Sequence, residues 1–288
     1  MVNEGLLLLA ALAWLGLLFG SAVWGERHPA ALRRGWGVVF ALSLAVYCTS
    51  WTFFGTVQQA LDSGWMLPPT FLGTIALYLL AFPLVLRLFR LARELNTTSI
   101  ADLVATRLGR SSALAAVVTA IAVLGMIPYL ALQLRAVAMS HGLLTGGEPA
   151  AAGQDSALYV AIAMAAFVML FGTRRASLRE HNRGLVLAMA VESLLKLAAM
   201  LALGAWLFLR DPAVPAAPLP EVPGGTAGFP ALILLGALAM VALPHQFHVG
   251  FVEGREESHL RLARWLFPLY LVLIALPVLP LARAGEAA

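Results

Sequence analysis

Long apolar runs separated by short polar connectors cover most of the 288-residue chain. Eight runs are close to the length that a helix rising ~1.5 Å per residue needs to cross a ~30 Å hydrocarbon layer. They occupy residues 5–24, 36–60, 67–89, 113–139, 157–172, 184–208, 229–250 and 265–283. Backbone groups in lipid must be satisfied within their own segment, so the pattern predicts eight transmembrane helices. The ~10-residue alternation of a membrane β-barrel does not occur in the sequence.

The composition agrees with this pattern, because 61% of the residues are hydrophobic, 12% are charged and the mean hydropathy is +0.86. A soluble domain is about one quarter charged. The sequence contains no GxxxxGKS phosphate loop, no HExxH and no CxxC motif, and the single cysteine, Cys48, excludes an internal disulfide. The chain is therefore predicted to be an all-α integral membrane protein, with no catalytic or metal centre in these residues.

The basic residues lie on alternate connectors, which predicts the orientation. Fifteen of the 19 lysines and arginines lie in the connectors 25–35, 87–112, 173–183 and 251–264. The other connectors, 61–66, 140–156 and 209–228, contain only Arg210. The positive-inside rule places the first set in the cytoplasm and the N-terminus outside. Topology thus explains the net charge of +4 without a nucleic-acid partner. The first run follows Glu4 and has no basic flank, so it is predicted to be a retained helix rather than a signal peptide.

The stretch YCTSWTFFG, residues 47–55, interrupts the second apolar run with polar side chains. Thr49, Ser50 and Thr52 can bond to backbone carbonyls of their own helix or replace them as partners. If the helix unwinds here, the freed carbonyls and these hydroxyls form a binding site for a cation or a solute. The alternative is that small residues simply let this helix pack closely against a neighbour.

The stretch LPHQFHVG, residues 243–250, predicts another interruption, in the seventh run. Pro244 has no N–H and leaves one carbonyl without its usual partner. His245 and Gln246 follow it inside the membrane, where polar groups are expensive and mark functional sites. His245 and His248 share a helix face, but no third ligand is spaced to complete a metal site.

Glu192 and Lys196 form a third polar feature, four residues apart in the sixth run. This spacing puts them on one helix face, where they can form an ion pair. The pair either neutralises two charges or acts as a coupling element inside the bundle. In the connector before the fourth run, Ser99 and Asp102 predict the start of a short helix.

Four stretches, taken in order, resemble the sodium/solute symporter family. They are YCTSWTFFG, NTTSIADLVATRLGRS, MIPYLALQLRAVAMS and LPHQFHVGFVEGREESHLRLARWLFPLY. The phrases VYCTSWTFFG and VESLLKLAAMLALG are closer to a subset of the family, the symporter-like N-terminal domains of bacterial sensor histidine kinases.

The resemblance implies the leucine-transporter-type inverted repeat of five plus five helices, here only its first eight or so helices, in the bacterial inner membrane. The two interrupted helices would then flank a small organic solute, such as an amino acid or a carboxylate. Thr49, Ser50, Trp51 and Thr52 would line the site from one side, and His245 and Gln246 from the other. Glu192 and Lys196 would be candidates for charge coupling.

The resemblance leaves three functions open. The first is the sensory input domain of a longer histidine kinase, whose partners would be cytoplasmic kinase domains and a response regulator. The second is a cation-coupled secondary transporter, and the third is an inactive membrane fragment. Sodium-coupled members often carry an acidic residue near the position of Tyr47, and no Asp or Glu lies between Glu26 and Asp62. Na⁺ is therefore a doubtful ligand, and we expect these residues to belong to a longer product.

Overall fold

The computed structural model describes residues 2–28, 30–146, 182–210 and 226–287, with residues 158, 161 and 162 between them. The described residues form helices joined by short turns, and they include no strand. The helices are α1 (Glu4–Arg27), α2 (Trp36–Ser43), α3 (Ser50–Ser63), α4 (Pro69–Leu79), α5 (Phe82–Glu94), α6 (Ile100–Arg107), α7 (Ser112–Thr145), α8 (Arg183–Arg210), α9 (Phe229–Ala242), α10 (Pro244–Phe247), α11 (Glu257–Ala275) and α12 (Val278–Ala287). A 3₁₀ turn, Leu44–Tyr47, continues α2, and a π turn, His248–Val252, continues α10.

The described residues include 4 helices that are long and apolar enough to cross a membrane. These are α1, α7, α8 and the nearly continuous segment Glu257–Gly285. Up to 7 spans result if each of three bent helix pairs is counted as one span. The helix predicted from the eighth run is α11, which begins at Glu257, before the expected position 265. The predicted run 157–172 falls outside the described residues except for 158, 161 and 162.

Two of the bent pairs confirm the interruptions predicted from polar residues. The chain turns by 63° between Trp36–Tyr47 and Ser50–Ser63, at Cys48 and Thr49. It turns by 58° between Phe229–Ala242 and Pro244–Val252, directly before the proline. Thr49 stands at the first of these turns, and its hydroxyl can bond to a backbone group outside the regular helix. Pro244 stands at the other, and it has no N–H to donate to the preceding turn.

The third bent pair corrects the prediction of one straight helix over residues 67–89. The chain turns by 74° between α4 and α5. Pro83 lies in the first turn of α5, where its missing N–H does no harm, so it starts a new helix. The Arg264 guanidinium, from α11, donates a hydrogen bond of 2.9 Å to the carbonyl of Leu79 at the end of α4. A side-chain cation thus satisfies a backbone group that the turn has freed.

The helices pack around a core of aromatic and aliphatic side chains. Phe40, Tyr78, Phe89, Phe247 and Phe267 are almost completely buried in it. Helix α11 packs against α2 and α4, α8 packs against α1 and α2, and α9 lies along α4. In chain order, the first interruption is at Cys48 and Thr49, the second at Leu80 and Ala81, and the third directly before Pro244. The packing puts the first and third interruptions beside one another inside the bundle.

Helix α7 carries large apolar side chains on its outer surface. Ile121, Leu124, Ile127 and Leu130 are all more than half exposed. A contiguous apolar surface of this kind would not be tolerated on a soluble monomer, and it suits contact with lipid tails. The exposed face therefore supports the membrane location that the hydropathy predicts.

The short helix predicted after the third run is present as α6. The amide of Asp102 donates to the Ser99 hydroxyl over 3.1 Å, and the Asp102 carboxylate accepts from the amide of Thr98 over 3.0 Å. The first bond is the N-cap half of a capping box, and the second goes to the amide one residue before the N-cap, so both ends of Ser99–Asp102 hold the start of α6. At the same end of the bundle, Arg90 of α5 forms two hydrogen bonds, of 2.6 and 2.8 Å, with the Glu257 carboxylate of α11.

Candidate functional site

The first interruption is a two-residue extended segment between the 3₁₀ turn and α3. Cys48 has φ −82° and ψ 98°, and Thr49 has φ −91° and ψ −177°. The Thr49 amide donates to the Thr52 hydroxyl over 2.8 Å, and the Thr52 amide donates to the Thr49 carbonyl over 3.0 Å. Thr52, which the sequence offered as a ligand residue, therefore caps the start of α3.

Helix α7 supplies the other groups that hold the start of α3. The side-chain oxygen of Gln133 accepts hydrogen bonds from the Ser50 hydroxyl over 2.8 Å and from the Trp51 amide over 3.2 Å. The side chain of Gln133 thus satisfies an amide that has no partner in the first turn of α3. The Trp51 indole lies against Gly55 and the Phe54 ring, so its backbone, rather than its ring, joins this hydrogen-bond network.

Helix α8 brings a cation to the interruption. The Lys196 ammonium donates a hydrogen bond of 2.5 Å to the carbonyl of Cys48. The same nitrogen lies 3.2 Å from the Glu192 carboxylate, which confirms the ion pair predicted from the spacing. The ring of Tyr47 packs against Phe71 and Phe267. Glu192 and Lys196 are therefore the charged groups that the described residues place at this interruption.

A cavity of about 210 Å³ opens beside the interruption. Its lining includes Cys48, Thr49, Ser50, Thr52 and Lys196. The rest of the lining is mostly apolar and comes from α3, α4, α8, α11 and α12, with Phe71, Met200, Ile274 and Val278 among its residues. Sites for drug-sized ligands have volumes of about 300–1,000 Å³, so this cavity suits a smaller molecule. A mostly apolar wall with a few convergent polar groups is the usual composition of a ligand site.

The third interruption contacts the first one. The turn Pro244–Phe247 packs against Leu44–Tyr47. Gln246 is completely buried, and neither atom of its amide has a hydrogen-bond partner among the described residues. The His245 ring stacks on Tyr129 of α7 at a centroid distance of 5.4 Å, and its Nε2 is buried without a partner. His245 and Gln246 do not line the cavity, so the candidate site residues form two adjacent groups rather than one.

A cluster of charged side chains follows the third interruption. The Glu253 carboxylate is almost completely buried and lies 3.4 Å from His248 Nε2. Arg255 and Arg183 both lie over the Trp36 ring. Burial, and then the positive charge of Arg183, lower the pKa of Arg255, whereas Glu253 and Glu26 raise it. This cluster ties the connector after α10 to α2 and α8. Within the described residues, no three His, Cys, Asp or Glu side chains gather as a metal site requires.

The sequence reasoning missed Gln133 and Tyr129, which connect α7 to both interruptions. Both residues are polar and lie in the middle of a long apolar helix. Polar residues at membrane depth are functional candidates by default, and that signal was available for them. Their partners are 82 or more positions away in the sequence, so only the fold identifies the contacts.

Comparisons of the chain with models of protein families, with curated proteins and with solved structures gave no match.

Proposed function

We propose that this chain is a membrane domain of the sodium/solute symporter type that binds a small organic solute. The observation that carries the proposal is the contact between two interrupted helices next to a mostly apolar cavity that has a few polar residues in its lining. One interrupted helix is Leu44–Tyr47 with α3, and the other is α9 with α10. Discontinuous helices that meet near the membrane midplane form the solute sites of many secondary transporters. The inverted repeat of five plus five helices is part of the same proposal.

The cavity indicates the class of solute. Thr49, Ser50 and Lys196 are among the polar residues of its lining, and most of the lining is apolar. A molecule with a polar or carboxylate end and a short apolar end matches both surfaces. An amino acid or a short carboxylate has this form.

We propose sensing as the use of this binding, in the bacterial inner membrane with the N-terminus outside. The support is the sequence resemblance to the input domains of histidine kinases. A solute acts as a signal only if it binds one conformation of the bundle more tightly than another. The two interruptions are the joints at which such conformations would differ. A secondary transporter is the second candidate, because interrupted helices also serve transport.

Filling the cavity is the direct test of the binding function. Ala199 lines the cavity, and its neighbour on α8, Ala198, does not. We expect Ala199→Phe to weaken solute binding at least tenfold, because the ring occupies the space of the solute. Binding would be detected by thermal shift with a panel of amino acids and short carboxylates.

Ala198→Phe is the matched control, because it adds the same ring one position away on the same helix, at a residue that does not line the cavity. The control should bind as the unmodified chain does. Equal binding by the Ala199→Phe variant would place the solute elsewhere, and a panel without any stabilising compound would contradict the proposed function.

The proposed orientation gives a second prediction. Cys48 is 1% exposed, so cysteines introduced at surface positions are labelled over a low background. We expect a membrane-impermeant maleimide to label Asp62→Cys in intact cells, and Arg107→Cys only after permeabilisation. Labelling in the opposite order would show that the N-terminus lies in the cytoplasm.

A further inference from the structure

The carbonyl of Cys48 is a group that an interrupted membrane helix must satisfy by some other means. Cys48 is extended and α3 begins only at Ser50, so this carbonyl has no helical N–H to accept from. A backbone carbonyl without a partner is costly in a bilayer. Hard cations take oxygen ligands, and a freed carbonyl beside a carboxylate is such a donor set. At this interruption the carboxylate is that of Glu192.

Lys196 already occupies the position between these two oxygens. Its ammonium lies 2.5 Å from the Cys48 carbonyl oxygen and 3.2 Å from the Glu192 carboxylate. The nearby hydroxyls are also engaged, because Thr52 accepts from the Thr49 amide and Ser50 donates to Gln133. A metal ion at this point would have to displace the ammonium and break these capping bonds.

We propose that the Lys196 ammonium is the resident cation of the first interruption and takes the place of an alkali-metal ion. The interruption then binds no Na⁺, and solute binding does not depend on Na⁺. A second positive charge within a few ångströms would be repelled in this poorly solvated position, and the Glu192 charge is already balanced. The proposal extends the solute site proposed above, but its test measures ions and stability, so the two can fail separately.

The first measurement compares thermal unfolding of the purified chain in NaCl, KCl and choline chloride at equal ionic strength. The three melting temperatures are expected to agree, and the chain should retain no radioactive sodium. A higher melting temperature in NaCl, together with sodium that remains bound, would overturn the proposal. This measurement uses the unmodified protein and gives an answer even if the variants do not fold.

The second measurement replaces the side chain and then supplies its cation from solution. Lys196→Ala is expected to lower the melting temperature by about 5–10 °C, because Glu192 and the Cys48 carbonyl lose their shared partner. Propylammonium has the three carbons and the ammonium that this substitution removes, so it should restore most of the loss. Tetramethylammonium has no N–H and should restore none.

Arg210→Ala is the matched control, since Arg210 is another cation of α8 and lies over the Trp206 ring near the helix end. Neither ammonium ion should change the melting temperature of the Arg210→Ala variant. A Lys196→Ala variant as stable as the unmodified chain would overturn the proposal. So would a Lys196→Ala variant that propylammonium and tetramethylammonium stabilise equally. If the unmodified chain behaves towards the ions as expected but binds no solute of the panel, the proposed function fails and the proposal about Lys196 stands.

Discussion

Replacing Gly236 with leucine is expected to separate α9 from α4 and to lower strongly the amount of folded protein that is found in the membrane. A Cβ atom at Gly236 would lie 2.0 Å from the Thr70 carbonyl oxygen, and one at Gly73 would lie 1.8 Å from the Ile233 carbonyl oxygen. The two helices therefore touch backbone to backbone. The Thr74 hydroxyl donates to the Gly236 carbonyl over 2.9 Å across the same contact.

The clash is with backbone atoms, so no change of side-chain rotamer can relieve it. Overpacking a core costs about 1–3 kcal/mol when the neighbours are side chains, and we expect at least the upper end here. Small residues at helix contacts are the usual means by which membrane helices approach closely. Expression level and thermal unfolding of the purified variant measure the effect.

Gly125→Leu provides the control for this prediction. Gly125 lies on the exposed face of α7, and a Cβ atom there would meet nothing within 4 Å. The same substitution should leave expression and melting temperature unchanged. Normal stability of the Gly236→Leu variant would mean that α4 and α9 do not pack as described.

The sequence predicted the positions of two interruptions because polar residues mark them. Thr49 and Ser50 stand at the first, and Pro244 with His245 at the third. The second interruption, at Leu80 and Ala81, lies in the apolar sequence YLLAFP, where Pro83 is the only local sign. A proline within an apolar run is equally compatible with a kinked single helix, so the 74° turn depends on Arg264 and on other tertiary contacts.

In the candidate site too, the sequence predicts contacts between nearby residues and does not predict those between distant ones. The Glu192–Lys196 pair follows from a spacing of four residues, and the structure contains it. Lys196 also donates to the carbonyl of Cys48, which is 148 positions away in the sequence. Every residue has a backbone carbonyl, so the residue types do not indicate this contact. The hydroxyls of Ser50 and Thr52 were expected to face a ligand, but Thr52 accepts from the Thr49 amide and Ser50 donates to Gln133. Gln133 in turn accepts from the Trp51 amide, because the amides of the first turn of α3 have no partners within the helix.

The buried amide of Gln246 leads to the second large effect, in which stability and binding change in opposite directions. Gln246→Met is expected to raise the stability of the solute-free protein by about 1–3 kcal/mol, because a buried amide without partners is costly. Methionine has a similar length and no group that requires a hydrogen bond, so the packing of α10 is retained. We expect the same variant to bind solute at least tenfold more weakly, because the proposed site extends from the cavity to the Gln246 amide at the contact between the two interrupted helices.

Thermal unfolding without solute and a solute titration of the same preparation test both halves of this prediction. Gln58→Met is the matched control, because Gln58 is exposed and bonds to Asp62 one turn later. The control should leave both quantities nearly unchanged. A lower melting temperature for Gln246→Met would mean that the amide is paired in the empty protein. A higher melting temperature with unchanged binding would confine the site to the cavity at Lys196 and remove the third interruption from it. Both halves together would instead mean that the chain keeps a destabilising polar group at the contact between its two interrupted helices because the solute requires it.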